Sequence, residues 1–249
     1  MADYASEKSH WYDSEGKAQH TYINSKGVVS NTTLREARKF KYKPSSTKVI
    51  GLAARPSLDN WKQEQTILAC LTLPKIEGES EDDYIKRIKE DARSHAEQAA
   101  QRGTEIHGYI ERGFVGDISP EDANYKFYLS VYNLLVKECG EQEWNTERTF
   151  ASSLGFGGCV DLHNDEYLID FKTTDKSLAT VKTWDEHAMQ LASYDCGLEN
   201  TGRKCGICYV HRDTAESKLL WLKEEDLLKG QRCFLSLLEY YYCKTGLER

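Results

Sequence analysis

The sequence lacks the features that would place the protein outside the class of folded globular proteins. No run of 18 apolar residues occurs, which excludes a membrane-spanning helix of ordinary length. Proline is scarce, with 4 residues, and no low-complexity linker is present. Hydrophobic residues make up 39% of the chain and aromatic residues 11%, which is too much for a disordered protein. The 249 residues are therefore expected to bury a proper core in one or two domains.

The N-terminus also lacks a targeting segment. Residues 1–16 contain neither the apolar stretch of a secretory signal nor the Arg-rich, acid-poor composition of a transit peptide. We therefore expect a cytoplasmic protein with no membrane partner. In that reducing compartment the 8 cysteines are expected to stay reduced.

The residue pattern predicts helices first and a mixed α/β region afterwards. Residues 1–45 show no amphipathic period, so we predict an irregular segment with a short helix near Thr33–Phe40. Helices are predicted from Ser57, from Asp83 to about Gly113 and from Pro120 onward. Strands are predicted at 148–153, 157–163, 167–172, 205–211 and 218–222, with helices at 184–198 and 227–242. We find no domain boundary after residue 45, so 46–249 are predicted to form one α/β domain.

The predicted hairpin of residues 158–172 has an apolar face and a charged face, because side chains alternate along a strand. The apolar positions are Val160, Leu162, Tyr167, Ile169 and Phe171. Asp161, Asp170 and Lys172 share the other face. A two-residue turn at Asn164-Asp165 would place Asp161 diagonal to Asp170, about 7–8 Å away or slightly less. Two carboxylates at that spacing can hold a divalent metal, although an isolated Asp-x-Lys on a solvated hairpin is equally common.

Two predicted helices each carry a pair of polar residues one turn apart. His107 and Glu111 share one face of the helix that begins near Asp83. Gln190 and Tyr194 share one face of the helix that begins near Trp184. Taken alone, either pair is explained by an ordinary helix surface.

Together these elements resemble the RecB-type branch of the PD-(D/E)xK nucleases. That branch has Gly-x-x-x-His, Gly-x-x-Asp, Asp-x-Lys and Gln-x-x-x-Tyr in this order. The matching residues are Gly103 and His107, Gly158 and Asp161, Asp170 and Lys172, and Gln190 and Tyr194. The segment from Ser46 to Trp61 is further similar to the mitochondrial genome maintenance exonuclease group and its bacteriophage relatives. The resemblance covers about Ser46 to Lys244 and is weak between the motifs.

This resemblance implies a fold and a cellular setting. The fold would be α/β, with a PD-(D/E)xK core at 146–244 whose mixed central sheet is flanked by helices. A helical N-terminal portion at 57–138 would form an arch over the DNA strand. The missing transit peptide favours a phage or bacterial relative, and hence a bacterial host cell.

The resemblance also implies an activity, a divalent-metal-dependent DNA exonuclease acting on single-stranded ends. Asp161, Asp170 and Lys172 would be the catalytic residues, with Lys172 orienting or deprotonating the attacking water. The implied ligands of Mg²⁺ or Mn²⁺ are Asp161, Asp170, His107 and the Phe171 carbonyl. Glu111 would bind the metal through water, and Glu147 is a weaker candidate for the same role. Gln190 and Tyr194 would position Lys172 or the DNA backbone, and Thr173 would bind a phosphate. A structure- or site-specific endonuclease and a catalytically silent DNA-binding module remain alternatives.

The net charge of −7 alone would argue against a nucleic-acid partner, but the chain also contains a basic segment. Between Arg35 and Lys48 six cations accompany one acid, Glu36, and aromatic residues are interleaved with them. Cations that bind phosphates and aromatics that stack on bases suit single-stranded DNA. The predicted DNA contacts are Arg38, Lys39, Phe40, Lys41 and Tyr42. A solvated basic loop is the alternative.

The Cys205-Gly-Ile-Cys208 motif does not predict an iron–sulfur cluster. On a strand, Cys205 and Cys208 point to opposite faces, and the remaining cysteines do not match the four-Cys spacing of cluster-containing relatives. We therefore expect Mg²⁺ or Mn²⁺ as the cofactor and no iron–sulfur cluster.

Overall fold

The computed structural model describes residues 10–199 and 201–249. Contacts divide the chain into two compact units, one comprising the residues up to Ala53 together with Ile106–Arg249, and the other Ala54–Glu105. This division differs from the predicted boundary at residue 45. The reason is that Trp11, Ala37 and Val49 belong to the same buried cluster as Phe156 and Val160, so the N-terminal residues complete the core of the first unit.

The described N-terminal residues are not irregular, and that prediction is wrong from residue 10 onward; residues 1–9 lie outside the described part. Strand β1 (Trp11–Tyr12) pairs with β4 (Lys43–Pro44), and β2 (Thr21–Ile23) pairs with β3 (Val29–Asn31). Helix α1 (Leu34–Phe40) confirms the predicted short helix, and α2 (Ser46–Ile50) follows β4. Strands of two or three residues are too short to show a period in sequence.

The second unit is helical. It contains α3 (Pro56–Thr72) and most of α4 (Glu81–Phe114), and both helices were predicted. Helix α3 begins at Pro56, because proline is suited to the first helical position. Ala69, Ile88 and Ala92 form a small buried cluster within this unit.

The first unit is built around a five-stranded mixed sheet. Its strands are β5 (Asn145–Ala151), β6 (Gly157–His163), β7 (Tyr167–Thr174), β8 (Lys204–His211) and β9 (Ser217–Trp221), in that spatial order. All neighbours are antiparallel except β7 and β8, which are parallel. The parallel pair needs a crossover, which α6 (Asp185–Gly197) provides, and α7 (Glu224–Thr245) closes the chain. The predicted mixed α/β architecture is confirmed.

Helix α5 (Tyr125–Cys139) packs in the core of the first unit instead of joining α3 and α4 in one helical portion. Its residues Phe127, Val131 and Leu135 lie four apart and form one buried stripe. That stripe belongs to the buried cluster that also contains Ile106 at the end of α4. The helix begins at Tyr125, because Pro120 lies in a turn before it.

The core of the first unit contains two buried clusters. One contains Val160 and Cys205 together with residues of α6 and α7. The other contains Cys208 together with residues of α5. The two thiols thus lie in different clusters, as the alternation of a strand predicts. In the part of the chain that the structure describes, no helix combines the length and the hydropathy that a bilayer crossing requires.

Candidate active site

The β6–β7 hairpin places the two predicted catalytic carboxylates opposite each other. Leu162 pairs with Ile169, and one step further along each strand sets Asp161 opposite Asp170. Ladder pairing ends at this step, and the Asp161 carboxylate spans the gap: its Oδ2 accepts a hydrogen bond of 2.8 Å from the Phe171 amide. The carboxylates are therefore direct neighbours across the hairpin.

The predicted diagonal arrangement is wrong because the turn lies elsewhere. Asn164 Oδ1 accepts hydrogen bonds from the backbone N–H of Glu166 at 2.9 Å and of Tyr167 at 2.8 Å. The Asn164 amide in turn donates to the Tyr167 carbonyl at 3.0 Å. These bonds centre the turn on residues 165 and 166, one position later than predicted, and a shift of one position changes every cross-strand pair.

The apolar face of the hairpin is confirmed at Leu162, Ile169 and Phe171, whereas Val160 lies in the other buried cluster, with Leu168. Val160, Leu162 and Ile169 are 0% exposed, and Phe171 is 3% exposed. Leu162, Ile169 and Phe171 pack in the cluster that contains α5. Alternation within the two strands therefore leaves the charged side chains on the opposite face.

A hydrogen-bond network connects β7 to α6. Asp170, 2% exposed, accepts at Oδ1 from Gln190 Nε2 at 2.8 Å, and its Oδ2 lies 2.5 Å from Lys172 Nζ. Lys172 Nζ also donates to Gln190 Oε1 at 3.2 Å. Gln190 Nε2 donates a further bond of 2.9 Å to the Tyr194 hydroxyl. The side-chain amide of Gln190 thus fixes the positions of the Asp170 carboxylate, the Lys172 ammonium and the Tyr194 hydroxyl.

The negative charge of Asp170 is balanced mainly by one cation. Its buried Oδ2 forms a close ion pair with Lys172 Nζ, and among the described residues no hydrogen bond reaches this oxygen. Burial raises the pKa of Asp170; Lys172 lowers it and Asp161 raises it further, and the raising effects prevail. Loss of water is the larger effect, as expected for a buried carboxylate.

Glu147 adds a third acid beside Asp161. The pairing of β5 with β6 continues on both sides of Glu147, so this residue faces Asp161, yet its φ of 46° is left-handed and interrupts the ladder. Its Oε2 accepts from Cys159 Sγ at 2.9 Å. The residue as a whole is exposed, but burial of its carboxyl group, followed by repulsion from Asp161, raises the pKa of Glu147 to about 7. A left-handed glutamate is strained, and such strain is common at functional sites.

The last turns of α4 bring His107 to the carboxylates. His107 Nδ1 lies 3.6 Å from Asp161 Oδ2, and its ring meets Phe171 edge-on with centroids 5.8 Å apart. Ile106 and Ile110, both 0% exposed, hold this part of α4 in the core. Glu111, one turn after His107, is half-buried and helps to raise the pKa of Glu147.

The donor set suits a hard divalent cation. Carboxylate, imidazole and carbonyl groups are present at Asp161, Asp170, His107 and Phe171, and Mg²⁺ and Mn²⁺ accept ligands of these kinds. Among the described residues no three His, Cys, Asp or Glu side chains already form a ligand group, so the donors are adjacent but not converged. The buried Asp170 Oδ2 that lacks a hydrogen-bond donor supports the fit.

The other predicted contacts lie away from the carboxylates. Thr173 Oγ1, at the end of β7, accepts from Arg212 Nε at 3.2 Å. In the basic segment, Arg38 donates to the Thr245 carbonyl at the end of α7. The Phe40 and Tyr42 rings stack with centroids 5.5 Å apart, Lys39 Nζ lies 4.9 Å from the Phe40 centroid, and Lys41 ends α1. The structure thus brings His107, the hairpin acids, Lys172, Gln190 and Tyr194 together, and it does not bring the basic segment into this group.

Sequence reasoning missed residues that surround Lys172. Tyr209, on β8, pairs with Lys172 across the parallel ladder, and His187, 7% exposed, packs near Tyr209 with ring centroids 6.2 Å apart. Burial lowers the pKa of His187 to about 4, and Lys172 lowers it further. The sequence does not indicate that Tyr209 pairs with Lys172, because the parallel strands β7 and β8 are joined only through a long crossover.

Comparisons with known proteins add two partial likenesses. No family model matches the chain, and no curated protein is similar to it at a significant level. A structure of a Eubacterium rectale protein to which exonuclease activity is ascribed aligns at 14% identity, over 59% of this chain and 69% of that one, with a TM-score of 0.39. An alkaline exonuclease from Laribacter hongkongensis aligns at 15% identity, over 82% and 93% of the two chains, with a TM-score of 0.37. Likenesses of this extent do not establish a family, so the function rests on the site itself.

Proposed function

We propose that the protein is a divalent-metal-dependent deoxyribonuclease with a PD-(D/E)xK core that removes nucleotides from the ends of single-stranded DNA. The observation that carries this proposal is that the folded chain places four sequence elements, from three separate regions of the chain, next to one another. His107, the two hairpin acids, Lys172, and the Gln190–Tyr194 pair are connected by short contacts around the β6–β7 hairpin. Each element alone has an ordinary structural explanation, whereas their convergence does not.

A catalytically silent DNA-binding module is the weaker explanation. Asp161 and Asp170 face each other, and burial raises the pKa of Asp170. Two acids that face each other disfavour folding unless a bound cation offsets their charge. Their presence is therefore better explained by a metal-dependent reaction. Binding of DNA alone requires positive charge and gains nothing from opposed acids.

The chain's own residues define the roles in hydrolysis. When bound at Asp161, Asp170, His107 and the Phe171 carbonyl, a divalent cation would supply Lewis acidity and lower the pKa of a water molecule. Lys172 Nζ stands beside Asp170, where its charge can neutralise the scissile phosphate and orient the attacking water. Gln190 accepts a hydrogen bond from the Lys172 ammonium and donates one to the Asp170 carboxylate, so it acts as a positioning residue.

The preference for single-stranded ends rests on the sequence resemblance and on exposed aromatic residues. Phe40 is 50% exposed and stacks with Tyr42 beside Lys39, an arrangement suited to unpaired bases. An endonuclease would use the same catalytic residues, and only the substrate can distinguish the two activities.

The test uses labelled DNA and a matched lysine control. Linear single strands, duplexes and covalently closed single-stranded circles are incubated with Mg²⁺, Mn²⁺ or EDTA. We expect the wild type to degrade linear single strands with either metal, to spare circles and to stop in EDTA. Lys172→Ala should be inactive, whereas Lys223→Ala should match the wild type, because the Lys223 side chain is 76% exposed at the start of α7.

Two results would contradict the proposal. Equal degradation by Lys172→Ala and the wild type would show that the assigned site is not the active one. Cutting of the circles would replace the exonuclease with an endonuclease on the same residues.

A further inference from the structure

The loop between β7 and α6 is held beside Lys172. Lys172 on β7 pairs with Tyr209 on β8, which pairs with Lys218 on β9, so the three residues form one row across the same face of the sheet. The Tyr209 hydroxyl donates to the Lys182 carbonyl at 2.9 Å, and Lys218 Nζ donates to the Leu178 carbonyl at 2.8 Å. Tyr209 and Lys218, the residues that share this row with Lys172, thus fix the backbone of the loop.

The loop presents a cation next to an aromatic ring. Residues 176–184 contain Lys176, Lys182 and Trp184, and acids flank them at Asp175, Asp185 and Glu186. Asp175 and Asp185 form ion pairs with Arg212 and Lys229. Lys182 Nζ lies 4.1 Å from the Trp184 ring centroid. A cation beside an exposed aromatic ring is a combination that suits single-stranded nucleic acid.

Trp184 is fixed in position yet left exposed. Its backbone N–H donates to His187 Nδ1 at 3.2 Å, and it is the cap residue of α6, the helix that carries Gln190 and Tyr194. Its exposure is 38%, whereas Trp11 is 0% exposed in the core. The helix end thus fixes the backbone of Trp184, and the exposed indole offers a ring face for stacking.

We propose that Trp184 and Lys182 form a nucleotide-binding position for the DNA strand as it leads to Lys172, with a base stacked on the Trp184 ring and a phosphate bound by the Lys182 ammonium. The position rests on the proposed nuclease function and extends it to substrate selection. A duplex keeps its bases stacked on one another, so only an unpaired base can lie on the indole. The loop therefore selects single strands close to the reacting phosphate.

The experiment measures initial rates of the full chain on single-stranded and duplex DNA in the presence of Mg²⁺. Trp184→Ala should raise KM for the single strand about 5- to 100-fold and change kcat less than about threefold, because stacking contributes to binding. Trp184→Phe should recover most of the affinity. Lys182→Ala should raise KM several-fold and reduce the dependence of binding on salt by about one counterion.

Tyr240→Ala is the matched control, because Tyr240 is also an exposed aromatic, 53% exposed, with Lys244 Nζ 5.5 Å from its ring centroid. It lies on α7, away from the loop, and its KM should equal that of the wild type. A second readout, quenching of tryptophan fluorescence by a short oligothymidylate in EDTA, detects binding without cleavage; the quenching should be smaller in Trp184→Phe.

The outcomes separate this inference from the proposed function. A wild type that cleaves DNA, with Trp184→Ala and Lys182→Ala unchanged in KM, overturns the binding position and leaves the nuclease intact. Binding in EDTA that requires Trp184, without cleavage in any metal, supports the binding position and overturns the nuclease. Equal losses in Trp184→Ala and Tyr240→Ala overturn the binding position as well.

Discussion

The two faces of the β6–β7 hairpin have opposite effects on folding. On one face, Leu162 and Ile169 are 0% exposed, and each buried side chain of this size stabilises the fold by about 1.5–3 kcal/mol. On the other face, Asp161 and Asp170 oppose each other, and burial raises the pKa of Asp170. The two sets alternate along the same two strands, so neither length nor backbone geometry distinguishes them.

This difference teaches that stability and activity are separable within one hairpin. The apolar face explains why the strands fold, and the charged face carries groups that folding alone does not favour. Substitutions on the two faces should therefore produce opposite combinations of stability and activity. Four changes test the contrast, beginning with the largest expected effect.

Asp170→Asn should abolish most activity without unfolding the protein. Cleavage of single-stranded DNA should fall about 10²–10⁴-fold, because a charged group of the catalytic set becomes neutral. The melting temperature at pH 7 should stay the same or rise, since a buried charge is removed. Rates and thermal unfolding of the same preparation test this. A large fall in melting temperature would show that the acid is structural.

Leu162→Ala should give the reverse result. The free energy of unfolding should fall by about 2–5 kcal/mol, because the side chain is fully buried. Activity per folded molecule should change less than about threefold at low temperature. Leu154→Ala, at a position 41% exposed, should change stability by at most about 0.5 kcal/mol. Denaturant titration measures both. A selective loss of kcat in Leu162→Ala would break the contrast.

Gln190→Ala should have an intermediate effect on activity. It removes the amide that joins Asp170, Lys172 and Tyr194, and loss of such a supporting residue reduces activity about 10–100-fold. Tyr194→Phe keeps the ring and removes only the hydroxyl that accepts from Gln190, so its loss should be smaller. Rates measured against metal concentration test the order; a larger loss in Tyr194→Phe would show that Gln190 does not position Lys172.

Glu147→Gln should produce the smallest effect, visible as a change in pH dependence. The pKa of Glu147 rises from 4.5 to about 7 on folding, so the folded state holds the proton more tightly. The stability that this group contributes is present below about pH 4.5 and is lost as the pH rises through about 7. Relative to the wild type, Glu147→Gln should melt higher at pH 8 and nearly equally at pH 4.5. Equal differences at both pH values would contradict this assignment.

The sequence by itself determined the longer elements after residue 55 and most of the two faces of the hairpin. Strand β6 and helices α1 and α4 were predicted nearly to the residue, because apolar periods and cap residues act within a few positions of the chain. Alternation likewise placed Leu162 and Phe171 in one buried cluster and Asp161 on the other face. The role of each motif residue came from resemblance and stays a proposal.

Only the tertiary structure decided which charges meet. The Asn164 bonds that shift the hairpin turn, the Glu147 residue that faces Asp161, and the row from Lys172 through Tyr209 all depend on pairing between strands. Such pairing brings together residues that are distant in sequence, and no local period records which partner a strand selects. The physical reason is that periodicity specifies which way a side chain faces, whereas register and packing specify what it meets there.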